Sequence, residues 1–260
     1  MDLNLKNNVV IVTGAAKGIG KAIVLALASE GAIPVIIGRK QADNELVQQE
    51  VESMGGQAFC ITAELTRPDD CEQAIGKTLA QFGRIDGLVN NAGVNDGVGL
   101  ESGNYQKFVD SLHKTLIHYY LMAHHALPAL KASKGAIVNI GSKTAETGQG
   151  NTSGYAASNG GRNALTREWA LELLDYGIRV NAIIVAECAT PQYDTWIQTL
   201  RNPEETLRKI TQRIPLGKRM TTPAEIADTV VFLLSDRSSH TTGQLMHVDG
   251  GYVHLDRAID

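Results

Sequence analysis

The segment Thr13-Gly14-Ala15-Ala16-Lys17-Gly18-Ile19-Gly20 has the residue types and spacing to do chemistry, and it sits close to the N-terminus. It follows the apolar run Val9-Val12 and leads into residues with helical periodicity. Gly14 permits a tight turn, Gly18 lets the backbone approach a bound anion, and Gly20 lets a helix pack on the preceding strand. Backbone N–H groups free at the start of that helix attract a phosphate. The strand, turn and helix in this order point to a pyrophosphate-binding turn, although G-x-x-x-G-x-G differs from the G-x-G-x-x-G of ordinary dinucleotide folds.

Two polar stretches could line a second ligand. Lys143, Thr144, Glu146, Gln149 and Asn151 lie between Ser142 and Tyr155, and Glu187, Thr190, Gln192, Tyr193 and Trp196 follow the run Arg179-Ile183. A pocket for a steroid or an acyl chain is mostly apolar, whereas a polyhydroxylated ligand needs many donors and acceptors. A sugar or polyol fits these residues better, with Glu187 the first candidate for a hydroxyl partner; a solvated rim is the alternative for any single one. The histidine pairs His124-His125 and His113 with His118 have no third ligand at a useful spacing, and adjacent helical residues point about 100° apart, so no metal site is expected from them.

The elements that must position these residues are legible as apolar runs. Val9-Val12, Val35-Ile37, Ala58-Ile61, Leu88-Val89, Ala136-Ile140, Arg179-Ile183 and Leu245-Val248 read as strands separated by helix-length segments. Such alternation predicts an α/β fold: a doubly wound, parallel seven-stranded sheet with helices on both faces, in one domain spanning 1–260. Ile19, Ile23 and Leu27, with Ala22 and Ala26 beside them, form a face suited to close packing on a sheet. Pro34 lacks a ladder donor, so the second strand is expected to begin at or after it. A long helix near Tyr105-Leu130, with Phe108, Leu112, Thr115, Tyr119 and Met122 along one side, is expected to leave surface for a partner subunit.

With 43% hydrophobic and 20% charged residues and a net charge of -4, the composition is that of an ordinary globule and speaks against a nucleic-acid partner. No stretch reaches the roughly 20 apolar residues that span a bilayer, and MDLNLKNN lacks a signal-peptide core, so no membrane partner and a cytoplasmic location are expected. Cys60, Cys71 and Cys188 form no C-x-x-C pair and read as reduced thiols.

Taken in chain order, further motifs resemble the short-chain dehydrogenase/reductase family over about residues 6 to 253. T-G-x-x-x-G-I-G is similar to its cofactor turn, and Asn90-Asn91-Ala92-Gly93 to its N-N-A-G element. Ser142 lies 13 residues before Tyr155, the family's serine-to-tyrosine spacing. Arg179-Val180-Asn181-Ala182, Thr242-Gly243 and Asp249-Gly250-Gly251 also match. The resemblance implies an NAD(P)-dependent enzyme, a homodimer or homotetramer, with Tyr155 as proton donor or acceptor and Ser142 holding the substrate oxygen. It places Gly14, Lys17, Gly18, Ile19, Gly20, Asn90, Ala92, Gly93 and Thr190 at the cofactor, with Glu64 and Leu65 beside the adenine. Arg39 and Lys40 after the second strand, with Lys17, favour NADP over NAD, because no carboxylate stands there to repel a 2′-phosphate.

Two positions depart from the family. Asn159 stands where a lysine belongs, four residues after Tyr155, and Thr115 where an asparagine is expected. A lysine ammonium about 5 Å from a phenol, at an effective dielectric of about 20, supplies roughly 3 kcal/mol, or roughly two pK units, toward the phenolate. Asn159 carries no charge but can still reach cofactor ribose hydroxyls, and Lys143 or Lys114 could contribute field. A slower or alkaline-shifted dehydrogenase is expected; a binding protein that has lost turnover is the competing reading, and a carbonyl reductase of another class a third. Gly160-Gly161 is expected to mark a close backbone approach. Ser142-Lys143-Thr144-Ala145, the segment 147–155 and Leu116-Ile117-His118-Tyr119-Tyr120 resemble L-fucose dehydrogenases, which oxidise the anomeric carbon of an aldose to a lactone. From the polar lining and the family's catalytic spacing together, Ser142, Lys143, Glu146, Gln149, Tyr155, Glu187, Tyr193 and Trp196 are expected at the substrate. Val185-Ala186 replaces the family's Pro-Gly after the sixth strand.

Overall fold

A computed structural model describes residues 2–255, so the outermost residues of the expected 1–260 unit lie outside it. The order is β1 (Val9–Thr13), α1 (Gly18–Ser29), β2 (Ile33–Gly38), α2 (Gln41–Ser53), β3 (Phe59–Thr62), α3 (Pro68–Phe82) and β4 (Gly87–Asn90). Then come α4 (Tyr105–Leu112), α5 (His118–Ser133), β5 (Ala136–Ser142), α6 (Ser153–Glu172), β6 (Arg179–Val185), α7 (Pro191–Ile197), α8 (Pro203–Gln212), α9 (Pro223–Leu234) and β7 (Leu245–Val248). Every strand is parallel to its neighbours, in the order β3-β2-β1-β4-β5-β6-β7. The chain winds outward from β1 to β3 and then restarts at β4, on the other side of β1. That reversal opens a crevice beyond the carboxyl ends of β1 and β4, where ligands of open α/β sheets bind.

Alternate residues of each strand serve two separate cores. Val10, Val12, Ile36, Val89 and Val138 pack under α1 and α9, while Val9, Ile11, Ile37, Leu88 and Ile137 pack under α3, α5 and α6. Burial on both faces explains why the strands read as continuous apolar runs. The face that α1 buries is Gly20, Ile23, Val24, Leu27 and Ala28, so Val24 and Ala28 join the expected Ile23 and Leu27. Burial raises the thiols of Cys71 to about 11 and of Cys188 to about 12, which keeps both protonated and unreactive.

Two expectations need correction. β2 begins at Ile33, before the proline: the Ile33 N–H donates to Asn8 O at 2.8 Å, and Pro34 pairs in register with Val10. Successive N–H groups of a strand point to opposite sides, so the missing donor of Pro34 faces the β3 side, where pairing starts only at Val35. The helix expected near Tyr105-Leu130 is interrupted by a π turn, His113–Ile117, between α4 and α5. Such turns cluster at functional sites because they redirect backbone carbonyls.

Candidate active site

The glycine turn is built as the sequence suggested. Gly14 (φ 63°) and Gly18 (φ 56°) occupy the left-handed region. A Cβ on Gly20 would stand 2.3 Å from the Gly14 carbonyl oxygen, and one on Gly14 would stand 2.9 Å from Ala92 Cα. Asn91 Nδ2 donates to Thr13 O (2.8 Å) and Gly14 O (3.2 Å), while the N–H groups of Asn91 and Ala92 donate to Thr13 Oγ1. These bonds join the ends of β1 and β4 under the turn. No side chain caps the first N–H groups of α1, which leaves them for an anion, and the cradle fits a dinucleotide pyrophosphate. Thr190 comes to this turn from beyond β6, its Cβ 3.5 Å from where a Gly18 Cβ would be. Ile19, partly buried, packs against the core on the α1 side.

Asn90 is placed differently. It is fully buried and donates through Nδ2 to Asn139 Oδ1 at 3.1 Å, so it braces β4 against β5 inside the sheet. Contrary to the expectation that no carboxylate stands near the basic residues, Lys17 Nζ lies 2.9 Å from Asp43 Oδ2, and Arg39 Nη1 lies 3.8 Å from Glu64 Oε2. Asp43 was missed because it enters from the first turn of α2. Glu64 Oε1 accepts from the N–H and hydroxyl of Thr66, and Leu65 is buried beside it.

At the ends of β5 and α6 the structure adds a residue that sequence reasoning missed. Arg162, buried in α6, donates through Nε to Thr115 O (2.9 Å), through Nη1 to Ile140 O (2.8 Å), and through Nη2 to Ala92 O (3.3 Å) and Thr115 O. Its guanidinium carbon lies 4.1 Å from the centroid of the Tyr119 ring. Gly93 leaves room for it, because a Cβ there would stand 2.6 Å from Nη2. The π turn supplies the Thr115 carbonyl, while Thr115 Oγ1 donates to Val94 O at 3.1 Å.

Asn159 is fully buried, and both ends of its amide are engaged within the protein. Nδ2 donates to the Tyr155 carbonyl (2.9 Å), and Oδ1 accepts from Arg162 Nη1 (3.1 Å). A cation, Arg162, thus lies one helical turn after position 159 and is bonded to the asparagine that stands there. Neither alternative lysine is uncommitted: Lys114 lies 3.6 Å from Asp96, and Lys143 pairs with Glu187. A helical cation three residues after Asn159 was visible in the sequence, but which way it faced was not. The glycines that follow have unlike surroundings. A Cβ on Gly161 would stand 2.8 Å from the Leu116 side chain, whereas Gly160 has open space, so the close approach is by a side chain and only at Gly161.

Ser142 ends β5, buried, with its Oγ accepting from the N–H (3.3 Å) and hydroxyl (3.2 Å) of Thr144. Tyr155 lies in the first turn of α6 and is partly exposed. From Lys143 onward the expected substrate residues fall into two groups. Lys143 and Glu187 form a nearly buried ion pair, with Lys143 Nζ also 4.2 Å from the centroid of the Tyr252 ring. Tyr193 packs edge-on to Trp196 at 5.1 Å; its hydroxyl makes no well-formed hydrogen bond, while burial, and then the neighbouring Glu187, push its pKa up. Glu146 and Gln149 instead line an open groove of about 360 Å³ along residues 144–156.

Glu146 also meets two residues the sequence did not connect to it, His247 and His254; the three ligand atoms lie within 4.8 Å of one another. Of the other histidines, His113 and His240 are exposed, while His118, His124 and His125 meet aromatic neighbours. His118 is buried and held down to about 3 by desolvation and by Arg162, and His124 stacks on Tyr120 at 5.7 Å. Among the described residues no helix is long and apolar enough to cross a membrane.

Comparison with known proteins agrees with this geometry. The profile of the family described as enoyl-(acyl carrier protein) reductase matches residues 14–253. An L-fucose dehydrogenase of Bos taurus is 35% identical over 252 residues, covering 96% of this chain and 91% of the relative. A 3-oxoacyl-[acyl-carrier-protein] reductase of Thermotoga maritima is 35% identical over 253 residues, covering 96% of this chain and all of the relative. The crystal structure of Cj0485 dehydrogenase superposes with a TM-score of 0.94 at 45% identity, covering 100% of this chain and 99% of that one. With the glycine cradle at the β1/β4 crevice and these relatives spanning its length, the chain belongs to the short-chain dehydrogenase/reductase family and is an NAD(P)-dependent oxidoreductase.

Proposed function

We propose that this protein oxidises a hydroxyl of a sugar or polyol, and specifically the anomeric carbon of an aldose such as L-fucose, giving the lactone. The observation that carries this reading is the buried polar cluster of Lys143, Glu187 and Tyr193, which begins one residue after Ser142. Against an apolar substrate the Tyr193 hydroxyl would stay unpaired, at about 1–3 kcal/mol, and the remaining acceptor sites of Glu187 would lose their water, whereas a substrate with several hydroxyls satisfies both. The L-fucose dehydrogenase relatives point the same way.

In this mechanism a bound nicotinamide would supply the hydride acceptor. The residues of the chain do the rest. The N–H groups at the start of α1 and the turn Gly14–Gly20 would hold the pyrophosphate, with Thr190 beside the turn. Ser142 Oγ positions the reacting oxygen, and Tyr155 Oη takes the hydroxyl proton. Glu187 accepts hydrogen bonds from sugar hydroxyls while its ion pair with Lys143 orients it. Arg39 and Lys40 favour NADP, but the Glu64 and Asp43 pairings must open to receive a 2′-phosphate, so discrimination against NAD is modest. Exposed Ile117, Tyr120 and Phe108 along α4 and α5, and Leu171 and Leu174 at the end of α6, fit a homo-oligomer. A cytoplasmic location accords with this chemistry.

One observation favours a second reading, a cofactor-binding homologue with little turnover: the amide of Asn159 is engaged by Tyr155 and Arg162. The reductase relatives sustain a third, reduction of another carbonyl class. Cofactor reduction followed across a panel of aldoses, at several pH values and with NAD and NADP in parallel, separates them. Turnover of L-fucose or a close aldose supports the proposal; nucleotide binding without turnover of any aldose refutes it.

A further inference from the structure

Glu146, His247 and His254 approach one another from three separate stretches of backbone. Glu146 ends the short turn Lys143–Ala145 that follows β5, His247 lies within β7, and His254 lies beyond it. His247 Nε2 is 2.9 Å from Glu146 Oε2, and the two imidazoles meet edge to face with centroids 4.2 Å apart. The second carboxylate oxygen of Glu146 is held from behind, accepting from Nδ2 of the buried Asn163 at 3.4 Å. That bond leaves Oε2 for His247.

We propose that these three residues bind a divalent transition-metal ion, of which zinc is the best match. Two imidazoles and one carboxylate form the donor set that suits zinc, and tetrahedral bonds of about 2.0–2.2 Å require donor atoms about 3.4 Å apart. The present spread of up to 4.8 Å must contract toward that value, and His254, whose side chain is exposed, has room to turn. Asn163 plays the supporting part that orients a ligating carboxylate. With three protein ligands the ion keeps an open position for water or an oxygen ligand. Because Glu146 also borders the groove of residues 144–156, the ion would pin this segment to the turn after β7 and set the shape of the groove's rim. The site stands on its own geometry and does not depend on which substrate the enzyme oxidises.

The test is zinc binding by the full-length protein after removal of bound metals with a chelator, read by competition with a chromogenic zinc indicator. One equivalent is expected in the parent, with affinity at least tenfold weaker in His247→Ala, Glu146→Gln and His254→Ala and unchanged in His124→Ala. Circular dichroism confirms that each variant is folded, and His254→Ala keeps the test open if the other two fail to fold. Absence of a bound equivalent in the parent, or equal affinity in folded His254→Ala, overturns the proposal.

Discussion

Replacing Asn159 by lysine restores the residue type expected after Tyr155, yet the structure predicts that this change alone is damaging. Arg162 is 3% exposed, and among the described residues no carboxylate pairs with it; its partners are the carbonyls of Ala92, Thr115 and Ile140 and the Asn159 amide oxygen at 3.1 Å. An ammonium at position 159 would stand about 4 Å from the guanidinium, a repulsion of about 4 kcal/mol at an effective dielectric of about 20. Loss of the charge-assisted bond to Oδ1 adds about 1.5–3 kcal/mol, and relaxation of the lysine toward the crevice offsets part of the sum, leaving a loss of about 3–5 kcal/mol. A domain with about 5–15 kcal/mol of stability would lose a large share of it. In Asn159→Lys with Arg162→Gln the repulsion disappears, so urea unfolding of the four proteins of the cycle should show a coupling of about 3 kcal/mol. Only the double variant should also move the pH–rate optimum toward neutrality, because only there can the ammonium settle toward Tyr155. If Asn159→Lys alone is as stable as the parent and the cycle shows no coupling, the Arg162 guanidinium does not govern what position 159 accepts.

Further expectations follow from single contacts. Gly20→Val drives side-chain atoms into the Gly14 carbonyl, so nucleotide affinity measured by fluorescence titration should fall at least tenfold while circular dichroism stays folded; unchanged affinity would put the cofactor elsewhere. Glu187→Ala should raise the aldose KM more than it lowers kcat, and leaving Lys143 buried without its partner should cost about 3–5 kcal/mol in urea unfolding. An unchanged KM would remove Glu187 from the sugar site. His118 is held neutral, with its pKa lowered to about 3 by burial and then by Arg162. Above its ordinary value near 6.5 it contributes no pH dependence. As pH falls from there toward 3 the unfolded chain takes up the proton and the folded protein does not, so stability declines by up to about 1.4 kcal/mol per pH unit. His118→Gln should flatten that part of the stability profile, and a slope equal to the parent's would refute the assignment.

The sequence by itself determined the parallel sheet and the glycine turn, because both are local. Strands buried on both faces must be apolar throughout, and a turn that needs left-handed residues at positions 14 and 18 and no Cβ at position 20 admits little besides glycine. It also showed that the position four residues after Tyr155 carries no charge. Tertiary structure decided how that absence is accommodated: Arg162 is one of 24 basic residues in the sequence, and only the packing of α6 against the π turn and the end of β5 draws it to the Thr115 and Ile140 carbonyls. The same holds for the acids beside Lys17 and Arg39 and for Glu146 facing His247 across 101 residues. Periodicity shows which face of an element turns inward, but which side chains then meet depends on how separate elements cross, and no local pattern of residues carries that information.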